Sequence, residues 1–173
     1  MLRICLYGGP GAGKSTLAAA VYAALKDEGI NVELVREVVK AWAYEGKRPD
    51  EWDQIYTFGQ QLYEEHRLAK AGVNVVVTDS PLLLQCFYSG FNAGGLLMFA
   101  KRYETLHNSI NFLVERAKPY SHIGRFQSEA DAVAMDTQME AYMHFLELEH
   151  WRVKDATTLT EICLEQLLLR GIE

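Results

Sequence analysis

Eight residues near the start of the chain, Gly8-Gly9-Pro10-Gly11-Ala12-Gly13-Lys14-Ser15, constrain it more than any other feature. They match the pattern G-x-x-x-x-G-K-[ST] in full. They also stand in the context that pattern requires. An apolar run, residues 2–7, precedes them, and residues 14–28 follow with Leu17, Ala20, Val21, Ala24 and Leu25 at helical spacing, closed by Gly29. Strand, glycine loop and helix in that order form a cradle for phosphate. Glycines let backbone N–H groups converge on phosphate oxygens without a side chain in the way, and the helix start adds the positive end of its dipole. The backbone of Gly9, Gly11, Ala12 and Gly13 is expected to surround the phosphates. Lys14 then reaches the β- and γ-phosphates, the Ser15 hydroxyl ligates Mg²⁺, and Thr16 adds a further contact.

The remaining pattern alternates. Residues 31–35, 73–78 and 109–114 read as buried strands, and residues 151–153 as a short fifth one. Helices are expected over residues 37–44, 51–71, 128–148 and 159–170, the third opened by a variant capping box of Ser128 and Asp131. Such alternation implies an α/β fold: a parallel sheet of about five strands with helices on both faces. No repeat, low-complexity run or linker divides it, so residues 1–173 read as one domain. Residues 89–102, with Gly90, Gly94 and Gly95, read as a flap or an ordinary loop.

In a sheet of this kind ligands collect beyond the carboxyl ends of the strands. Asp79 ends the third strand, where an aspartate would hold Mg²⁺; as the first residue of Asp79-Ser80-Pro81 it would equally cap a helix. Arg36 and Glu37 follow the second strand. Glu37 could accept the proton of an attacking hydroxyl and Arg36 hold an anionic part of the acceptor, or the two could be a surface ion pair. Asp53, Gln60 and Gln61 lie on the next helix with Trp52, Tyr56 and Phe58, a set that either stacks and reads a base or packs in the core. Residues 116–127 carry Arg116, Lys118, Tyr120 and Arg125 with no acid. That placement suits a lid in which Arg116 and Arg125 neutralise charge during transfer; a solvated basic loop is the alternative. Asp136, on the helix beyond, could orient one of these arginines.

Composition limits the rest. The net charge of −6 argues against the broad cationic footprint of a DNA-binding module, though not against a local basic mouth. Three scattered cysteines, Cys5, Cys86 and Cys163, fit buried reduced thiols, and the five histidines show no ligand spacing. No apolar stretch nears the ~20 residues of a membrane span and no signal-peptide pattern opens the chain, so a cytoplasmic location is expected.

The loop of residues 8–15, Arg36-Glu37, Asp53 with Gln60, and Asp79 together resemble the P-loop kinases related to nicotinamide riboside kinase. The wider plan is similar to thymidylate kinase and other nucleoside and nucleotide kinases. The stretch from Tyr120 through Phe126-Gln127 to Asp136 resembles small phage-encoded P-loop kinases, among them the 5-hydroxymethyluracil DNA kinases. This resemblance, over roughly residues 1–136, implies a three-layer P-loop NTPase fold with an arginine-bearing lid. It implies ATP and Mg²⁺ as cofactors and a nucleoside-like acceptor, free or as a modified base in DNA, held by Arg36, Asp53, Gln60 and Tyr120. It would place a phage-encoded version in the host cytoplasm and admits a homodimer. Where thymidylate kinases carry Asp-Arg after the third strand, this chain has Asp79-Ser80-Pro81. An ATPase or nucleotide-dependent switch, and a binding module without catalysis, are the readings of other classes.

Overall fold

The structure is a computed structural model that describes residues 1–50, 52–90, 93–123 and 126–172. Its element order is β1 (Leu2–Tyr7), α1 (Lys14–Asp27), β2 (Val32–Val35), α2 (Val39–Tyr44), α3 (Asp53–Lys70), β3 (Val75–Thr78), α4 (Leu82–Tyr88), α5 (Ala93–Glu104), β4 (Ser109–Val114), α6 (Glu129–Phe145), β5 (His150–Val153) and α7 (Ala156–Leu169). The five strands form one sheet in the order β2-β3-β1-β4-β5, and every pairing is parallel. Ile4 lies between Val77 and Ile110, so β1 is central and β3 runs directly beside it. That adjacency sets the ends of β1 and β3, and with them the glycine loop and Asp79, next to each other.

Side chains of a strand alternate between faces, and β1 divides the interior accordingly. Leu2, Ile4 and Leu6 join α1 and α7 through Leu17, Val21, Leu25, Leu159, Cys163 and Leu167. Cys5 and Tyr7 point into the opposite core, built with α3 to α6 from Phe58, Leu83, Met139 and Met143 among others. The sheet is thus covered on both faces, which explains why β1 and β3 are buried at every position. The result is a three-layer α/β fold of the P-loop NTPase type.

Burial pushes the thiols of Cys86 and Cys163 up to about 12, so both remain unreactive thiols. Among the described residues no helix is long and apolar enough to cross a membrane.

Three local findings refine the sequence reading. Residues 82–88 form a helix, and residues 93–104 form another where the sequence, with glycines at 90, 94 and 95, reads as a flap or loop over 89–102. Packing decides otherwise: α4 buries five consecutive residues, and α5 lays Ala100 and Tyr103 into the same core. The capping alternative for Asp79 does not materialise, because Pro81 is the N-cap of α4 and has no side chain that can cap. At α6 the box is complete, with Ser128 accepting from the Asp131 N–H and Asp131 reaching back to the Ser128 N–H.

One polar seam crosses this apolar interior. Arg3 is fully buried on β1 and pairs with Glu65 of α3 at 2.7 Å and with Glu104 of α5, its guanidinium 5.2 Å from the Tyr103 ring. Glu65 in turn accepts from Gln61, which also donates to the Thr78 hydroxyl at the end of β3, both at 2.9 Å. The surrounding apolar core makes each of these bonds costly to leave unmade.

Candidate active site

The glycine loop leaves β1 and enters α1 through Gly13, whose φ of 115° lies in the left-handed region that residues with a side chain rarely adopt. At the start of α1 the Thr16 and Leu17 N–H groups both return to the Gly13 carbonyl at 3.0 Å, while the N–H groups of Lys14 and Ser15 precede the helix's own acceptors. Gly9 answers a different need: a Cβ there would stand 2.3 Å from Asp136 Oδ1 and 3.0 Å from the Ala132 carbonyl oxygen. Only a bare backbone lets the loop rest this close to α6.

Asp136 uses that closeness. Its Oδ1 accepts from the Gly9 N–H and its Oδ2 from Arg116 Nε, each at 3.0 Å. Arg116 also donates to the Pro10 carbonyl at 2.9 Å and stands 5.6 Å from the Tyr120 ring. Its remaining terminal nitrogen is buried without a hydrogen-bond partner among the described residues. Loop, arginine and helix are therefore tied together, with one cationic donor unspent beside the cradle.

Lys14 lies at the centre. Its Nζ donates to the Gly8 and Gly9 carbonyls at 2.7 and 3.1 Å. Burial lowers its affinity for the proton, while the carboxylates of Glu37, Asp79 and Asp136 oppose that shift. Burial raises Glu37 above the ordinary carboxylate range, Lys14 pulling it back and Asp79 pushing it further up. Asp79 is almost wholly buried, and its Oδ1 accepts from the Glu37 N–H at 3.0 Å, which pins the end of β2 to the end of β3. Lys14, Glu37 and Asp79 thus meet at one place, from three separate parts of the chain.

Lys14 and Glu37 open onto a cavity of about 190 Å³. Pro10, Gly11, Gly13, Lys14, Ser15 and Thr16 form its loop wall, with Glu37 beside them. Gln54, Gln85 and Tyr88 also line it, as do Ile123, Phe126 and Gln127. Pockets for drug-sized ligands run to ~300–1,000 Å³, so only part of a nucleotide fits within this one. Burial, with Glu37 and Asp136 adding to it, holds the Tyr88 phenol well above its usual range and neutral.

The acceptor-side expectations are placed elsewhere. Arg36 is exposed, Asp53 faces Lys47 at 3.5 Å, and the Gln60 amide donates to the Tyr56 hydroxyl, none of them on the cavity wall. Tyr120 lies in the adjoining segment and donates to the Gln127 carbonyl. Arg125 lies outside the described residues. Sequence reasoning missed Gln54, Gln85 and Tyr88, and only the apolar spacing of residues 82–88 could have drawn the last two into a helix.

The residues fit a nucleotide with its metal on two observations. Arg116 carries an unpartnered buried donor next to the loop, and Lys14, held below its usual affinity for the proton, gains from a phosphate oxygen what the loop carbonyls supply only in part. Ser15 and Asp79 are the groups that would hold Mg²⁺, which supplies charge neutralisation across the β- and γ-phosphates.

Fold and cradle together define a P-loop nucleotide-binding protein with nucleotide-dependent activity, either hydrolysis or phosphoryl transfer. Residues 3–159 match the family described as AAA domain, and the chain belongs to that family of P-loop NTPases. Proteins of this family typically bind ATP with Mg²⁺. No curated protein matches the chain.

Proposed function

We propose that this chain is an ATP-dependent phosphotransferase that moves the γ-phosphate to a nucleoside-like hydroxyl, and that its sharpest candidate acceptor is the 5-hydroxymethyl group of 5-hydroxymethyluracil in DNA. The observation that carries the kinase reading is a shared cavity. The phosphate-loop residues, Glu37 and the neutral polar side chains of Gln54, Gln85 and Tyr88 line one and the same cavity. Hydrolysis needs room for water alone, whereas these neutral side chains offer contacts to an organic acceptor.

In the step itself the acceptor oxygen attacks the γ-phosphorus as the bond to the β,γ-bridging oxygen breaks. ADP leaves with that electron pair, and the hydroxyl proton passes to the Glu37 carboxylate. Lys14 and Arg116 neutralise charge on the transferring group, and the loop N–H groups hold its neighbours in line. Residues 116–127 serve as the lid over the phosphates, with Arg125 adding charge from within it. We take residues 1–173 as one catalytic domain.

A second reading draws on the family match. An AAA domain also suits an ATPase or switch whose hydrolysis is coupled to a partner. The deciding experiment follows ³²P from γ-labelled ATP, with Mg²⁺, into DNA containing 5-hydroxymethyluracil, unmodified DNA, free nucleosides and nucleoside monophosphates. Label in the modified DNA alone is the expected result. Label in a small molecule makes the acceptor a free nucleoside or nucleotide, and free phosphate alone overturns the phosphotransferase reading.

A further inference from the structure

Two carboxamides in the lining of the phosphate-loop cavity have their orientation fixed by buried hydrogen bonds. Gln54 of α3 and Gln85 of α4 are 8% and 3% exposed, and both line the cavity. Gln85 Nε2 donates to the Ser80 hydroxyl, and its Oε1 accepts from the Thr57 hydroxyl at 3.3 Å. The same hydroxyl lies 3.1 Å from the Gln54 carbonyl and 3.5 Å from Gln54 Oε1. Ser80 is anchored in turn, its N–H donating to Thr78, which receives Gln61 and through it the buried Glu65–Arg3 pair. A buried hydrogen-bonded ladder therefore runs from Arg3 to the cavity wall.

The donor and acceptor count shows what is left over. A carboxamide has two donor hydrogens and an oxygen with two lone pairs. Gln85 spends one hydrogen and one lone pair on Ser80 and Thr57. The Thr57 hydroxyl has a single proton for three oxygens within reach, so the Gln54 and Gln85 oxygens keep accepting capacity. Lys14, Glu37 and Lys40 are the charged residues lining the cavity, and Val39, Ala43, Pro49 and Tyr88 extend the amide wall without charge. Alongside Lys40, the two carboxamides offer adjacent donor and acceptor to a neutral planar group.

We infer that Gln54 and Gln85 are the specificity-determining pair of the acceptor site, and that they read the edge of a neutral cyclic amide or imide, a ring N–H beside a C=O. This inference rests on the phosphotransferase reading for the claim that the occupant is the acceptor. The edge could belong to a free nucleoside or to a base within a strand, and the chemistry is the same.

The test measures binding to the protein saturated with ADP and Mg²⁺. Probes are 2′-deoxyuridine and its N3-methyl derivative, each free and within a short single-stranded oligonucleotide. Methylation removes the ring N–H and should weaken binding about 10- to 100-fold. Gln85→Leu and Gln54→Leu each remove one carboxamide, and with it an oxygen that accepts from the ring N–H. Either should reduce that discrimination to less than about threefold while ADP binding stays as in the unmodified protein. Equal binding of the two probes, discrimination that survives both substitutions, or binding of neither probe would overturn the inference. Tighter binding of the free or the strand-borne form identifies the source. Discrimination without transfer of label to any acceptor would sink the phosphotransferase reading and leave the amide pair standing; transfer without discrimination would do the reverse.

Discussion

Replacing Asp136 by alanine removes two bonds at once, the Gly9 N–H to Oδ1 and the Arg116 Nε to Oδ2. Hydrogen bonds to charged groups contribute ~1.5–3 kcal/mol each. Asp136 is 30% exposed and Arg116 14%, so water recovers part of the loss and the lower end of that range applies. The expected destabilisation is about 2–3 kcal/mol, or roughly 30- to 150-fold in the folding equilibrium at 1.36 kcal/mol per tenfold. Asp136→Asn keeps an oxygen for Gly9 and loses the charge opposite Arg116, which amounts to about 1 kcal/mol. Urea unfolding with a shared slope resolves the two substitutions. An alanine variant within ~0.5 kcal/mol of the unmodified protein, or asparagine and alanine variants of equal stability, would refute the claim that this carboxylate ties the loop to α6.

The other expectations concern the same neighbourhood and the ladder behind it. Gly9→Ala places a methyl where Asp136 stands, so its loss should match that of Asp136→Ala, and the double variant should be no worse than the poorer single one; additive losses by unfolding would contradict this. The proposed transfer would require ionised Glu37 and protonated Lys14, and burial moves the two toward each other, from 4.5 upward and from 10.5 downward. The rate should therefore follow a bell narrower than those ordinary values give, and Glu37→Gln should remove its acid limb; an unchanged acid limb in that variant would exclude Glu37 as the base. A folded pKa raised above the unfolded one adds stability below the unfolded value that is lost as pH rises through the folded value, so Glu37→Gln should also raise the unfolding midpoint at neutral pH. Glu65→Leu leaves Arg3 buried with Glu104 alone and should cost ~3–5 kcal/mol, while Arg3→Met with Glu65→Leu restores most of it; a single-variant loss under ~1 kcal/mol in urea would dismiss the seam as structural glue.

The cradle was legible because it is contiguous: eight residues between an apolar run and a helical one carry their own context. The strands were legible for a related reason, since a strand covered on both faces is apolar throughout and needs no partner to be recognised. The amide wall was hidden by distance along the chain. Thr57 and Gln85 stand 28 residues apart, and what makes Gln85 informative is the hydroxyl that meets it from another helix. On α3 the difficulty was phase. Gln54, Thr57, Phe58, Gln61, Glu65 and Leu68 form its buried stripe, four of the six polar, while Trp52, Ile55, Tyr56 and Tyr63 are exposed. A rule that sends apolar residues inward assigns this helix the wrong face: of its glutamines, Gln54 lines the cavity, Gln61 is buried against Glu65 and Gln60 bonds Tyr56. The buried polar ladder is the physical cause of that inversion.

The packing of α1 against α7 has a consequence for how the protein is made. α1 ends at residue 27 and α7 begins at residue 156, yet Leu17, Val21 and Leu25 lie in one cluster with Leu159, Cys163 and Leu167. A ribosome adding about 5–20 residues per second spends about 6 to 26 s on the 128 residues between them. Throughout that interval the helix bearing the phosphate-binding lysine has an uncovered greasy flank. The nascent chain therefore carries the motif for nucleotide capture long before it has a surface rigid enough to perform it, and chaperones that shield apolar helices have their longest opportunity here.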